Sequence, residues 1–355
     1  MRRITITPEV ERIAAGYAQK MLYKHPHGDV VSMACANLRR LKGWFETKLC
    51  QPAGAALDFV RYIEDLEARY TRLLTLHPCD FDEEAEYFDG IIKQEDLSVE
   101  IIVSVNRKGE SPKSHRKKFY ELLVWALRYD YVQEKVFPNV IRELGIRTCV
   151  YCNAQYAVVT KNHEALYQLD HCFPKSKYPY LATNFYNLQP CCGACNQRKL
   201  NEVMQKGEYS VNMWREPDDD SEGYFDFHIE DDSLAKYMTT HDKDDLRIDF
   251  VKSITGDANL NELLDLYKQK FRINELYQEH REEAEEIIWK KYIYSPSYVD
   301  SLNAAFNQDF LDKSSELRRL LLGTYPNPED VYKRPLTKMI QDIARQLKIY
   351  TLVGK

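Results

Sequence analysis

Two cysteine pairs carry the clearest chemistry in the chain: Cys149-Val-Tyr-Cys152 and Cys192-Gly-Ala-Cys195. A two-residue gap lets both thiolates of a pair turn towards one ion. Four soft sulfur ligands suit tetrahedral Zn²⁺ with no open coordination position, so a structural zinc site is expected. Cys191 is an alternative to Cys192, with looser spacing to Cys195. A redox reading of either pair needs a thioredoxin-like βαβ pattern, and none surrounds them. Residues 153 to 191 separate the pairs, a longer gap than in a simple zinc ribbon, so something is inserted between them.

That insert reads Leu169-Asp170-His171-Cys172-Phe173-Pro174-Lys175-Ser176-Lys177, followed by Asn184-Phe185-Tyr186-Asn187-Leu188. The second cysteine pair then runs directly into Asn196-Gln197-Arg198-Lys199. In this order, CxxC, Asp-His, Asn-Leu and CxxC-Asn-x-x-Lys, the segment of about residues 145 to 206 resembles the HNH nuclease family, whose core is a ββα-metal finger with knuckles holding its ends together. The resemblance implies that Asp170 and Asn196 ligate a catalytic Mg²⁺ or Mn²⁺, whose preference for oxygen they match. It makes His171 the general base for the attacking water, and an ordinary imidazole pKa of about 6.5 suits that role at neutral pH. If Asp170 and His171 share a strand, they point to opposite sides. Asn187 stands where the family has an Asn that orients the loop carrying the base, with Asn184 as the fallback. Asn196 occupies a position that is often His. It keeps an oxygen ligand and leaves the metal preference open.

Lys175, Lys177, Arg198 and Lys199 surround these residues and are expected to meet phosphates, aided by the positive end of a helix opening near Asn196. For Lys199 the family pattern adds support. Each residue also has a plainer reading. Asp170 and His171 can form a strand-end hydrogen-bond pair, Asn196 can cap the helix, and Lys177 and Arg198 can be a solvated basic face.

The implied activity is that of a metal-dependent endonuclease that hydrolyses phosphodiester bonds, with DNA preferred over RNA. An RNA-cleaving nuclease and a non-catalytic zinc module that binds nucleic acid or protein are the alternatives. Leu169 to Cys192 is similar to bacterial HNH proteins of anti-phage defence, as in Septu and retron-associated systems, which implies a partner ATPase. A homo-oligomer would place two fingers on opposite strands, although nothing in the chain requires it.

The elements that must hold these residues are mostly helical. From the Thr7 cap and Pro8, apolar residues at Val10, Ile13, Ala14, Tyr17 and Met21 follow helical spacing. Phe119 to Leu127 form a second strong helix that Pro138 is expected to end, with a short helix to Leu144 beyond. Short β-type runs at 156 to 160 and 167 to 169 lie in the chemical segment. From 224 to 230 strict alternation predicts an amphipathic strand, with His228 solvated on its polar face. Helical periods resume over 260 to 267, 273 to 294, 317 to 322 and 335 to 349. The expected fold is mainly α with a small central ββα-metal core of α+β type, divided into a helical region 1–144, the nuclease core 145–206, and a region 207–355 of one short strand segment and then helices.

Composition limits the alternatives. The chain has 355 residues, 44% of them hydrophobic, and includes 25 Tyr, enough to bury a large core. No apolar run approaches the roughly 20 residues that span a bilayer, and the opening MRRITITPEVER has no apolar signal stretch, so a cytoplasmic protein with no membrane association is expected. In that reducing setting paired cysteines favour metal, and Cys35, Cys50 and Cys79 are expected to be buried thiols. A net charge of −6 gives no global nucleic-acid footprint, so any contact must be local. Lys113, His115, Arg116, Lys117 and Lys118 cluster, most simply as a solvated face. The acidic stretch from Asp218 to Asp232 reads as a solvated loop, or as a nucleic-acid mimic that shields the basic site.

Overall fold

The computed structural model describes residues 2–22, 32–52, 58–104, 115–162, 164–305 and 314–349; Lys113 of the basic cluster lies outside them. The fold is mostly helical, with six small sheets among the described residues. The first helix, Pro8–Met21, is capped by Thr7, whose Oγ1 accepts from Val10 N at 3.4 Å, and buries the five residues its period selects. Behind it, helices Met33–Glu46 and Phe59–Leu73 pack on each other, and Phe59 and Phe119 meet edge to face at 4.7 Å.

The N-terminal region also holds a sheet that the helical reading missed. Strands Cys50–Pro52, Glu100–Val103 and His115–Lys118 pair in that order, antiparallel throughout. His115 to Lys118 is an exposed edge strand that runs directly into the helix Phe119–Ala126, solvated as expected, and Arg116 pairs with Glu100 at 3.0 Å. Its four consecutive polar side chains suit an edge, where charge discourages pairing with another chain.

Pro138 begins a helix instead of ending one. The helix Phe119–Ala126 stops at Leu127, and Arg128 then adopts φ +61°. A turn of π-helix, Val132–Val136, leads into Phe137–Glu143, with Pro138 in its first turn, where a missing N–H costs nothing. The strand predicted at 224 to 230 is Phe225–Ile229, with Phe225, Phe227 and Ile229 buried. Its antiparallel partner, Ile248–Lys252, carries Asp249 and went unread. Helical period over 273 to 294 is broken into Ile273–Gln278 and Arg281–Ile293.

The closing helix, Thr337–Gln346, lies on this second sheet. Asp342 accepts from Phe227 N at 2.9 Å and from Lys338 Nζ at 2.6 Å, and both charged side chains are buried. Burying such a pair is tolerable because both partners gain hydrogen bonds in the same place. Among the described residues no helix is long and apolar enough to cross a membrane. Cys50 is buried as expected, but Cys35 is only half-buried and Cys79 is exposed.

Candidate functional site

The chemical segment folds as strand, strand, helix. Gln168–His171 pairs antiparallel with Leu188–Cys191, setting Asp170 opposite Gln189 and His171 opposite Leu188, and the chain then enters the helix Gly193–Lys199. Positions 168 and 170 share a strand face by the two-residue period. Positions 196 and 199 share a helix face by the three-residue offset. Those faces meet: Asn196 Nδ2 donates to Gln168 Oε1 at 2.7 Å, and Lys199 Nζ lies 3.0 Å from Asp170 Oδ2.

The four cysteines of the two pairs converge. Their sulfurs all lie within 4.8 Å of one another, and they form the group of metal-binding type found among the described residues. Tetrahedral thiolate coordination with bonds of about 2.3 Å sets sulfurs roughly 3.8 Å apart, so the cluster is positioned to hold one metal ion. Cys192, not Cys191, completes it. The Cys191 thiol points instead to Gln168 O at 3.5 Å.

The helix starts at Gly193, so Asn196 lies inside it and does not cap it. Its positive end therefore faces the cysteine cluster, where it favours thiolate, and not the basic residues as expected. Asn196 Nδ2 is held by Gln168, and no hydrogen bond among the described residues uses its Oδ1.

Asp170 is buried, with Tyr151 Oη donating to Oδ2 at 2.5 Å and Lys199 Nζ beside the same oxygen. Its Oδ1 accepts from no described group. Two oxygens on adjoining elements, Asp170 Oδ1 and Asn196 Oδ1, thus have no protein donor among the described residues. His171 points away from this face, as alternation requires. Its Nε2 lies 3.0 Å from Ala182 O, and its ring packs on Tyr129 at 4.7 Å. A carbonyl oxygen only accepts, so Nε2 carries the proton and Nδ1 keeps the lone pair. Burial, then the charge of Lys175, push the imidazole pKa down to about 3 against the opposing Ala182 hydrogen bond. The ring is neutral throughout the physiological range, and the ordinary pKa of about 6.5 expected from the sequence is not kept, because the imidazole is buried beside Lys175.

Asn187 is fully buried and braces the loop after His171. Oδ1 accepts from Phe173 N at 2.7 Å, while Nδ2 donates to Phe173 O and Leu181 O, each at 3.0 Å. Asn184 holds Asn187 in turn, accepting from its backbone N at 2.8 Å, and donates to Leu73 O and Leu76 O. The two asparagines thus divide the work: one orients the loop, the other anchors it to the helical region.

The expected phosphate contacts fare unevenly. Lys199 is 1% exposed, held by Asp170 and by His171 O at 2.8 Å, so as placed it is an internal partner and not a surface cation. Lys175 is half-buried, with Nζ 4.0 Å from the Tyr129 ring centre. Lys177 and Arg198 are exposed, although Arg198 also donates to Phe271 O at 3.2 Å. Three carboxylates of the acidic stretch pair with cations other than these: Asp219 with Arg3, Glu222 with Arg2 and Asp226 with Lys338.

Sequence reasoning missed Tyr151, Gln168 and Tyr129. Gln168 was within reach, two residues before Asp170 on a predicted strand. Tyr151 was visible only as the spacer of a cysteine pair, and nothing in the sequence links Tyr129 to His171, 42 positions later. Compared with known proteins, the chain matches no family model, no curated protein and no solved structure.

Proposed function

We propose that the chain is a metal-dependent endonuclease of HNH type that hydrolyses phosphodiester bonds, with DNA as the preferred substrate. The observation that carries this reading is the strand–strand–helix unit in which Asp170 and Asn196 sit on meeting faces, with His171 on the opposite side of the same strand and four cysteines at its base. The cysteine cluster takes Zn²⁺ as a structural ion, since four thiolates leave no open position for catalysis.

Asp170 Oδ1 and Asn196 Oδ1 would hold a Mg²⁺ or Mn²⁺. That ion, when bound, neutralises charge on the leaving 3′-oxygen. His171, with Nε2–H fixed on Ala182 O, keeps Nδ1 unprotonated and would be the base for the attacking water, a weaker one than an ordinary imidazole because burial pushes its pKa down to about 3. Asn187 keeps the following loop in register with that imidazole. Lys177 and Arg198, with Lys175 behind them, supply backbone contacts that carry no sequence information. A place in anti-phage defence beside an ATPase, in the cytoplasm, rests on the sequence resemblance of Leu169 to Cys192.

One observation favours the alternative of a non-catalytic zinc module: Asp170 already has Lys199 and Tyr151 as partners. Cleavage of matched DNA and RNA, with and without Mg²⁺ or Mn²⁺, separates the readings. The wild-type protein should cut DNA only with the divalent ion, and His171→Ala should lower the rate by about 10²–10⁴. Equal cutting by both proteins, or none by either, would sink the assignment, and preferential RNA cleavage would change the substrate.

A further inference from the structure

We infer that Lys199 is a built-in cation that occupies one oxygen of Asp170 and sets how weakly the site binds its divalent ion, with Tyr151 fixing which oxygen stays available. The inference rests on the reading of Asp170 as a ligand for that ion.

An ammonium group carries three donors and its charge is costly to bury alone. Lys199 is 1% exposed and meets that cost with an ion pair to Asp170 Oδ2 at 3.0 Å and a hydrogen bond to His171 O at 2.8 Å. Tyr151 Oη donates to the same Oδ2 at 2.5 Å. The phenol is held from behind: Tyr267 Oη donates to Tyr151 O, and the Phe271 ring stacks on Tyr151 at 4.8 Å and 16°. Both donors therefore arrive at one oxygen from rigid supports. Asp170 is left to coordinate through Oδ1 alone.

Two consequences follow from charge. A divalent ion held by Oδ1 would share the carboxylate of the buried Asp170 with the ammonium, and the two like charges would repel. The lysine also compensates the charge of Asp170 when no ion is bound, which keeps the helix docked on the strand. Lys199 is in this sense a positioning residue, acting on the ion through Asp170. Tyr151 sits between two of the four cysteines, so it ties the geometry of the sulfur cluster to the orientation of the carboxylate.

The test is Mn²⁺ binding by electron paramagnetic resonance on the full, zinc-loaded chain without nucleic acid. Wild type, Asp170→Asn and Lys199→Met are compared, and one zinc per chain is confirmed for each. Asp170→Asn should abolish the site, and Lys199→Met should bind Mn²⁺ at least about tenfold more tightly than wild type. A gain in affinity is a result that local damage does not produce. Unchanged or weaker binding by Lys199→Met overturns the inference while leaving the nuclease reading intact. Absence of Asp170-dependent binding in both wild type and Lys199→Met overturns both.

Should Lys199→Met not fold, the lysine ammonium resonance of the wild-type chain gives the same answer by nitrogen-detected NMR. Mg²⁺ should shift the protected lysine signal assigned to Lys199 and leave that of the equally buried Lys338 unmoved. Mg²⁺ binding that leaves the Lys199 signal unmoved overturns the proposal.

Discussion

His171 is neutral because it is buried beside Lys175, and that neutrality has a cost visible in stability. Its folded pKa, pushed down to about 3, lies below the ordinary 6.5. As pH falls, the unfolded chain takes up the proton first, so the contribution of this group is complete above about 6.5 and is lost progressively towards about 3. Urea unfolding of zinc-loaded protein at pH 7 and pH 5 should show a smaller loss of stability for His171→Ala than for wild type. Proton uptake by the cysteine cluster is common to both proteins and cancels in the comparison. An equal loss would show that burial does not hold the ring neutral. Asn187 offers a second measurement at this scale. Removing its side chain strands Phe173 N, Phe173 O and Leu181 O in a dry interior, so Asn187→Ala should cost about 3 kcal/mol in denaturant unfolding. Asp170, His171, Asn187 and Asn196 were legible because they sit in short motifs. The partners that define their chemistry, Tyr151, Ala182 O and Tyr129, were not, because tertiary packing supplies them.

Elements were legible where one face is buried along a regular period. The helix Pro8–Met21 and the strand Phe225–Ile229 show the expected buried sets, since cap, period and burial agree there. The reading failed where period is short or ambiguous. Glu100–Val103 and Ile248–Lys252 are too short or too mixed to announce themselves, and only pairing across long loops makes them strands. Arg128 ended a helix through its backbone conformation, which no residue type there advertises. The knuckle depends on similarly remote support. Tyr277 Oη donates to Cys152 O at 2.6 Å, and Tyr267 Oη donates to Tyr151 O, so helices Ala258–Phe271 and Ile273–Gln278 hold the backbone of the first cysteine pair. Tyr277→Phe removes one buried hydrogen bond and leaves its acceptor unpaired, a loss of about 1–3 kcal/mol. It should release zinc faster to a chromogenic chelator than wild type does. An unaltered release rate would mean that the sulfur cluster is held by its own loops.

At the scale of the whole molecule, the segment 145–206 is embedded more deeply than a sequence division into three regions suggests. Asn153, one residue past the first cysteine pair, is fully buried and donates to Val331 O at 2.9 Å, while its side-chain oxygen accepts from Lys338 N at 2.9 Å and its backbone oxygen from Leu336 N at 2.7 Å. Thr148 donates to Tyr332 O, and Tyr332 in turn donates to Arg2 O, so the two ends of the described chain meet behind the knuckle. On the other side Asn184 ties the loop between the site strands to Leu73 and Leu76. Cut out of the chain, the segment would expose these buried polar groups together with Tyr151, Phe185 and Leu188, all fully buried or nearly so. Too few apolar contacts would remain to offset the entropy of ordering about 60 residues, even with one zinc bound. A peptide of residues 145–206 with equimolar Zn²⁺ should therefore bind the metal through its cysteines yet show poor dispersion in a proton–nitrogen NMR spectrum, whereas the full chain shows the spread of a folded protein. A well-dispersed spectrum from the isolated segment would establish an autonomous zinc finger and reduce the flanking helices to appendages. The expected result assigns them a different role: they form the wall against which Tyr151 and Lys199 hold Asp170, and any change that loosens that wall should be felt at the carboxylate before it is felt at the sulfurs.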